Sequence, residues 1–165
     1  MAEFEANLAV VHEAIAATRP ARECLTHRDR RVTWEELTDR TRRLASFLLA
    51  NGLKEPERLP EAGWESTQDH LAIFLTNCVE YLESMVAAFK ARVVPFNVNH
   101  RYVERELAAV FKEARPRAIV VHTRFAAVAA SLADSLGARP LVLQVDDGSG
   151  GPLADGAVWY EEAIR

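Results

Sequence analysis

A chain of 165 residues, 49% of them apolar, is long enough to close a core of its own and lacks the composition of a disordered segment. Its net charge of −4, with no long run of Lys or Arg, argues against a nucleic-acid surface. Cys24 and Cys78 have no CxxC spacing and no His cluster, so they read as free thiols in a reducing compartment and not as a zinc site.

The N-terminus holds Glu3 and Glu5 and no apolar signal region, and no apolar run approaches the roughly 18 residues of a bilayer span. The expected location is the cytoplasm. Phe4, Leu8, Val11 and Ile15 recur at helical spacing and predict a helix with that face inward, closed by Pro20. Cys24 to His27 and Arg31 to Thr33 form a hairpin pattern around Arg28-Asp29. Thr33 to Glu36 is a capping box that opens a second helix. Its inward face is Trp34, Leu37, Thr41, Leu44 and Leu48, and Gly52 caps its end. Asp39, Arg40, Arg42 and Arg43 read as its solvated face. Lys54 to Asp69, with Pro56, Pro60 and Gly63, is expected to be a long surface loop, mobile or partner-facing; its Trp64 either pins it to the body, the favoured reading, or meets another part of a larger protein.

The pattern then changes. Leu71 to Leu75 is an unbroken apolar run, as in a strand covered on both faces. Asn77 is placed to cap the next helix, with Glu80 returning the bond and Val79, Leu82, Val86 and Phe89 facing inward. Val93 to Phe96 is the second strand. Asn97 to Tyr102 connects to a helix marked by Val103, Leu107, Val110 and Phe111, which Pro116 ends. Ala118 to Val121 is a third strand. Phe125, Val128, Leu132 and Leu136 mark a helix stopped by Gly137, and Leu141 to Val145 is a fourth strand. Asp146 to Gly156 is a loop, and Val158 to Ile164 begins another helix. The alternation predicts an α/β fold, a doubly wound, mainly parallel sheet flanked by helices. All 165 residues are assigned to one domain: helices and hairpin over 1–52, loop over 53–70, βαβαβαβ core over 71–145, and loop with helix start over 146–165.

Reactive patterns are sparse. There is no G-x-x-x-x-G-K-[ST], Gly148, Gly150 and Gly151 do not fit G-x-G-x-x-G, and no G-x-S-x-G elbow occurs. His12, His27, His70, His100 and His122 stand apart from one another and from the cysteines. His70 and His122 flank strands and read as capping or surface residues. Asp146-Asp147, at the end of the last strand, is the most site-like acidic pair, though such a pair before glycines is ordinarily turn chemistry.

Three stretches carry a resemblance. Val32 to Leu37 resembles the first core motif of the adenylate-forming enzymes, L-[TS]-Y-x-E-L. Phe89 to Phe96 resembles their second, L-K-A-G-x-x-x-[VL]-P-[LI], with Arg92 in place of the usual Gly. Asn99-His100-Arg101-Tyr102 with Glu106-Leu107 resembles the stretch that follows, and Asn77 to Glu83 with Phe96 to Asn99 is similar to fatty-acyl-CoA synthetases that use long-chain or sterol side-chain acids. The resemblance implies an N-terminal portion of such a ligase, which makes an acyl-adenylate from acid and ATP with Mg²⁺ and then an acyl-CoA. It also implies that the phosphate loop and catalytic lysine lie beyond Arg165, so no catalytic, cofactor-binding or metal residue is assigned and the isolated chain is expected to be inactive. Self-association through a strand edge or the tail helix is expected. The alternatives are a non-catalytic interaction module and a flavodoxin- or receiver-like domain.

Overall fold

The computed structural model describes residues 7–54, 61–62, 66–136 and 139–165. Helix α1 (Leu8–Thr18) leads into an antiparallel hairpin of β1 (Glu23–His27) and β2 (Arg30–Thr33), then α2 (Trp34–Ala50). The core follows as β3 (His70–Phe74), α3 (Val79–Lys90), β4 (Val94–Asn97), α4 (Glu104–Ala114), β5 (Ala118–His122), α5 (Thr123–Asp134) and β6 (Leu141–Val145). It ends with β7 (Ala157–Trp159) and α6 (Tyr160–Ala163). The five strands β4-β3-β5-β6-β7 pair in that order, all parallel.

The sheet is covered on both faces, which is why its strands are apolar without alternation. Leu71, Ile73, Val120 and Leu143 pack with Leu44 and Leu48 of α2 and Ala87 and Ala88 of α3. Ala72, Phe74, Ile119 and Val121 pack on the other face with Leu107 and Phe111 of α4 and Ala126 and Ala129 of α5. The capping box forms: Thr33 Oγ1 accepts from the Glu36 amide at 3.2 Å, and Glu36 accepts from the Thr33 amide at 2.8 Å. Gly52 follows α2 with φ +88°, the left-handed turn that favours glycine.

Four expectations are corrected. First, α1 buries Ala9, His12 and Ala16 and turns Leu8, Val11 and Ile15 outward. Glu13, held by Lys90 of α3 and Arg42 of α2, sets that rotation, and small residues let α1 approach both helices closely. Second, α3 starts one residue later than Asn77 predicts, with Cys78 at the cap position and no side-chain cap bond. Glu80 instead pairs with Arg30 at 2.5 Å, a charge-assisted bond stronger than one to a cap amide. Third, α3 is wedged between α2 and the sheet, so its inward face is Val79, Glu83, Ser84, Ala87 and Ala88, while Leu82, Val86 and Phe89 are only half-buried. Fourth, Val158 belongs to a strand, the short helix after it buries Tyr160 and Ala163, and Ile164 at its cap is buried as well, so the tail is not free apolar surface.

Phe4, Pro56, Pro60, Gly63, Trp64 and Gly137, and with them the expectation of a mobile, Trp-pinned loop, lie outside the described residues. The two ends of that loop meet where the Lys54 amide donates to Asp69 Oδ2 at 2.9 Å.

Candidate functional site

The strand order doubles back between β3 and β5: β4 is laid down on one side of β3, and β5 on the other. The carboxyl ends of strands flanking such a reversal are where open α/β sheets bind ligands. Here Thr76 follows β3, and His122 ends β5. The Thr76 amide and hydroxyl both lie 3.2 Å from His122 Nδ1. An amide can only donate, so Nδ1 accepts and the proton of the neutral ring is on Nε2. Burial lowers the His122 pKa, with Asp147 acting against it, so the ring is neutral near pH 7.

The acidic pair is committed to its loop. Asp146 Oδ1 accepts from the Gly148 amide at 2.9 Å, and Asp147 Oδ1 from the Ser149 amide at 3.1 Å. Asp147 also pairs with Arg124. Burial works to raise the Asp147 pKa, but the bonds from Ser149 and Arg124 outweigh it and hold the carboxyl well below its usual range. The turn reading of this pair is the one the geometry supports. Among the described residues no group of three or more His, Cys, Asp or Glu side chains could hold a metal ion.

Toward β7 a cleft of about 300 Å³ is lined by Glu80, Gln144, Asp146, Trp159, Tyr160 and Arg165. Gln144, buried in β6, staples the following loop: its Nε2 donates to Pro152 O at 2.9 Å, and its Oε1 accepts from the Ala154 amide at 2.9 Å. Beneath the cleft lies a polar junction. Glu83, fully buried, receives Arg40 Nε at 2.6 Å and Nη2 at 3.0 Å, and the Tyr160 hydroxyl at 2.9 Å. Arg40 reaches Glu161 at 2.6 and 3.0 Å, so Arg40 is not on a solvated face as its sequence neighbours suggested. Burial alone would lower the Arg40 pKa, but the bonds from Glu161 and Glu83 keep it raised. Burial, and after it the Glu83 charge, raises Tyr160 well above its ordinary value. Burial and the neighbouring Glu80 push the Cys78 thiol up to about 12, which leaves no reactive thiolate.

The motif residues take structural positions. Lys90 reaches Glu13 at 2.6 Å and the Thr38 carbonyl at 3.4 Å. Arg92, in the glycine position of the second motif, has φ +58°. The Val93 amide bonds Ala88 O at 2.9 Å and the Arg92 amide bonds Phe89 O at 3.3 Å, the paired bonds of a Schellman turn. Asn99 Oδ1 accepts from the Arg101 amide at 3.0 Å, His100 stacks on Phe125, and Glu106 accepts from the Val103 amide at 3.0 Å. His70 bonds Ala114 O and Ser66 Oγ, a capping role as expected. Sequence reasoning missed Glu83, whose only trace was a charge in the register of Val79 and Ala87.

Residues 12–162 match the family model described as AMP-binding enzyme. Medium-chain acyl-CoA ligase Mig of Mycobacterium avium is 40% identical over 155 residues, 93% of this chain and 28% of that protein. The 3-oxocholest-4-en-26-oate–CoA ligase of Rhodococcus rhodochrous is 32% identical over 159 residues, 96% of this chain and 26% of that protein. The chain thus spans about a quarter of the length of these curated relatives. Among solved structures, a protein described as a long-chain-fatty-acid CoA ligase from Rhodopseudomonas palustris superposes with a TM-score of 0.81 at 26% identity, over 98% of this chain and 37% of that one. An anthranilate CoA ligase solved with anthranoyl-AMP superposes with a TM-score of 0.78 at 15% identity, over 97% of this chain and 27% of that one, and supports the fold alone.

Proposed function

Because the chain belongs to the AMP-binding enzyme family, we propose that it is the N-terminal portion of the large domain of an AMP-forming acyl-CoA synthetase acting on fatty or sterol side-chain acids. The observation that carries this is the 40% identity to a medium-chain acyl-CoA ligase along 93% of the chain. In the proposed reaction the acid's carboxylate attacks the α-phosphorus of ATP and releases pyrophosphate. The CoA thiol then displaces AMP to give the thioester. Mg²⁺ would offset the phosphate charge during the first step. The residues described here do not fit a triphosphate or its metal: the acidic groups at the carboxyl edge are taken up by Arg124, Arg40 and loop amides, and no phosphate loop stands in the sequence. The part this chain plays is therefore framework: it holds the carboxyl edge of β3, β5, β6 and β7 rigid for groups that other chain segments bring.

A chimera tests this. Residues 7–165 replace the matching segment of the Mycobacterium avium ligase, and acyl-CoA formation is measured beside the isolated chain. Activity in the chimera and none in the isolated chain is the expected outcome. An inactive but folded chimera, or adenylate formation by the isolated chain, overturns the reading. The protein works in the cytoplasm, and the isolated chain self-associates through the edge of β4 or β7, the strands with one unpaired side. Sedimentation at several concentrations reads that association.

A further inference from the structure

Helix α1 is held to the body by few contacts. Its buried side chains are Ala9, His12 and Ala16, so the apolar area it covers is small. Glu13 is its only charged residue and its one ionic anchor, engaged by Arg42 of α2 and by Lys90 of α3 at 2.6 Å.

The seam of α1 with α2 and α3 also collects the unmatched polar atoms. Both ring nitrogens of His12 and Thr38 Oγ1 are the buried side-chain atoms that lack a hydrogen bond among the described residues. Solvent borders the seam at both ends. A cleft of about 300 Å³, lined by Glu13, Ala16, Thr38 and Arg42, opens toward the C-terminal end of α1. A groove lined by Val10, Glu13, Arg42 and Arg92 opens toward its N-terminal end.

This seam has no place for an imidazolium. A second proton would turn both ring nitrogens into donors, and neither has an acceptor. Lys90 of α3 and Arg42 of α2 would oppose the new charge. Glu13 of α1 would favour it, but its carboxylate already accepts from both cations. The other acids of α2 on this side are occupied or remote: Asp39 pairs with Arg43 at 2.9 Å, and Glu35 stands exposed. Burial first and Lys90 next lower the His12 pKa, Glu13 opposes them, and Arg42 lowers it further.

A hinge is also present. Helix α1 ends at Thr18, and Pro20 has no amide with which to extend it. The carbonyls of Pro20 and Arg22 accept from the Glu35 and Trp34 amides, each at 3.0 Å. Those bonds tie the turn to the start of α2 without any part of α1.

We propose that α1 is a strap released by acid: protonation of His12 detaches α1 as a unit from α2 and α3, turning about Arg19-Pro20, while the hairpin, α2 and the sheet stay folded. Release breaks the Glu13 bridges and uncovers Trp34, Thr38 and Lys90. The device does not depend on ligase chemistry.

Amide exchange of the 165-residue chain, expressed as protection factors at pH 7.5 and pH 5.5, tests this. In the released strap His12 titrates near its ordinary 6.5, whereas in the seam it stays neutral longer. The opening constant of α1 should therefore rise about tenfold between the two pH values, and protection of residues 12–18 should fall by the same factor. His12→Leu and His12→Gln, neither of which can take up the proton, should hold their protection. Low urea should leave exchange in α1 nearly unchanged while speeding it in β3 and β5, because release of one short helix exposes little surface. Three results overturn the proposal. One is α1 protection that does not change with pH. Another is an equal change in the two variants. The third is a urea dependence in α1 as steep as in β3 and β5, which would mean that α1 leaves only when the whole molecule unfolds.

Discussion

Helix α2 buries polar groups toward two sets of neighbours, and the two burials differ in kind. Toward α3 and α6, Arg40 meets Glu83, Glu161 and, through Glu83, Tyr160, and each polar atom of Glu83 has a partner. Toward α1, the Thr38 hydroxyl and the His12 ring nitrogens are buried without hydrogen bonds among the described residues. His12 is 8% exposed and tilts over Trp34 with ring centres 5.4 Å apart. The first region is a completed network, in which each group makes its neighbours' burial tolerable. The second leaves desolvated groups unpaired, and these cost stability. One helix thus joins a sealed junction to an unsealed seam, and α1 is held by the weaker of the two.

Removing a member of the sealed junction should have the largest effect. Glu83→Ala strands the Arg40 guanidinium, 20% exposed, and the Tyr160 hydroxyl. Breaking a buried ion pair costs about 3–5 kcal/mol. Because Glu161 still holds Arg40, the expected loss is near the lower end. Urea unfolding measures it. In the Glu83→Ala background Tyr160→Phe should then cost almost nothing, since the hydroxyl has lost its acceptor. An undiminished Tyr160→Phe effect there would show that the junction is not a network.

The seam should respond in the opposite direction. His12→Leu removes two unpaired nitrogens and keeps apolar bulk against Trp34, so a gain of about 1 kcal/mol is expected at pH 7.5. The pH dependence follows from the same burial. Desolvation lowers the His12 pKa, with Lys90 and Arg42 adding to it and Glu13 opposing. The folded pKa lies below the unfolded value of 6.5, so the unfolded chain takes up the proton first. This contribution is fully present above 6.5 and is lost as the pH falls from there through the folded value. The wild-type chain should lose stability between pH 7 and pH 5. His12→Leu should lose less, and His122, lowered also by burial, should supply what remains. Equal acid sensitivity in both proteins would place the effect elsewhere.

The contrast also separates what was legible in the sequence from what was not. The strands β3, β4, β5 and β6 were legible to within a residue, because a strand buried on both faces is an apolar run whatever surrounds it. The capping box was legible because Thr33 and Glu36 satisfy each other locally. Helix faces were misread in α1 and α3. Periodicity assigns the largest apolar side chains inward, but a helix wedged among others buries its smallest, Ala9 and Ala16 in α1 and Ser84, Ala87 and Ala88 in α3. Strand β7 was missed because three residues run straight into a helical turn. The carboxyl edge was illegible because its bonds are distant: His122 meets Thr76 across 46 positions, and Tyr160 meets Glu83 across 77. The family motifs were legible as a pattern, though the pattern did not disclose that their residues serve caps, turns and ion pairs.

The smallest expected effect lies where the seam's groove meets the end of α3. Arg92 lines that groove with φ +58°, at the position where the related motif has glycine. A side chain in left-handed backbone costs about 1–2 kcal/mol, which glycine does not incur. Glycine in turn gives the unfolded chain more freedom, which offsets about 0.4–1 kcal/mol of the gain. Arg92→Gly should therefore stabilise by roughly 0.5 kcal/mol, read as a higher urea midpoint at an unchanged slope. The Schellman bonds of Val93 to Ala88 and of Arg92 to Phe89 run through backbone and survive the change. A lower midpoint would mean that contacts of the Arg92 side chain outweigh its backbone strain. Combining the change with His12→Leu then decides whether the end of α3 and the α1 seam are one unit. Independent sites add to within about 0.5 kcal/mol, whereas a seam that yields as a whole gives less than the sum.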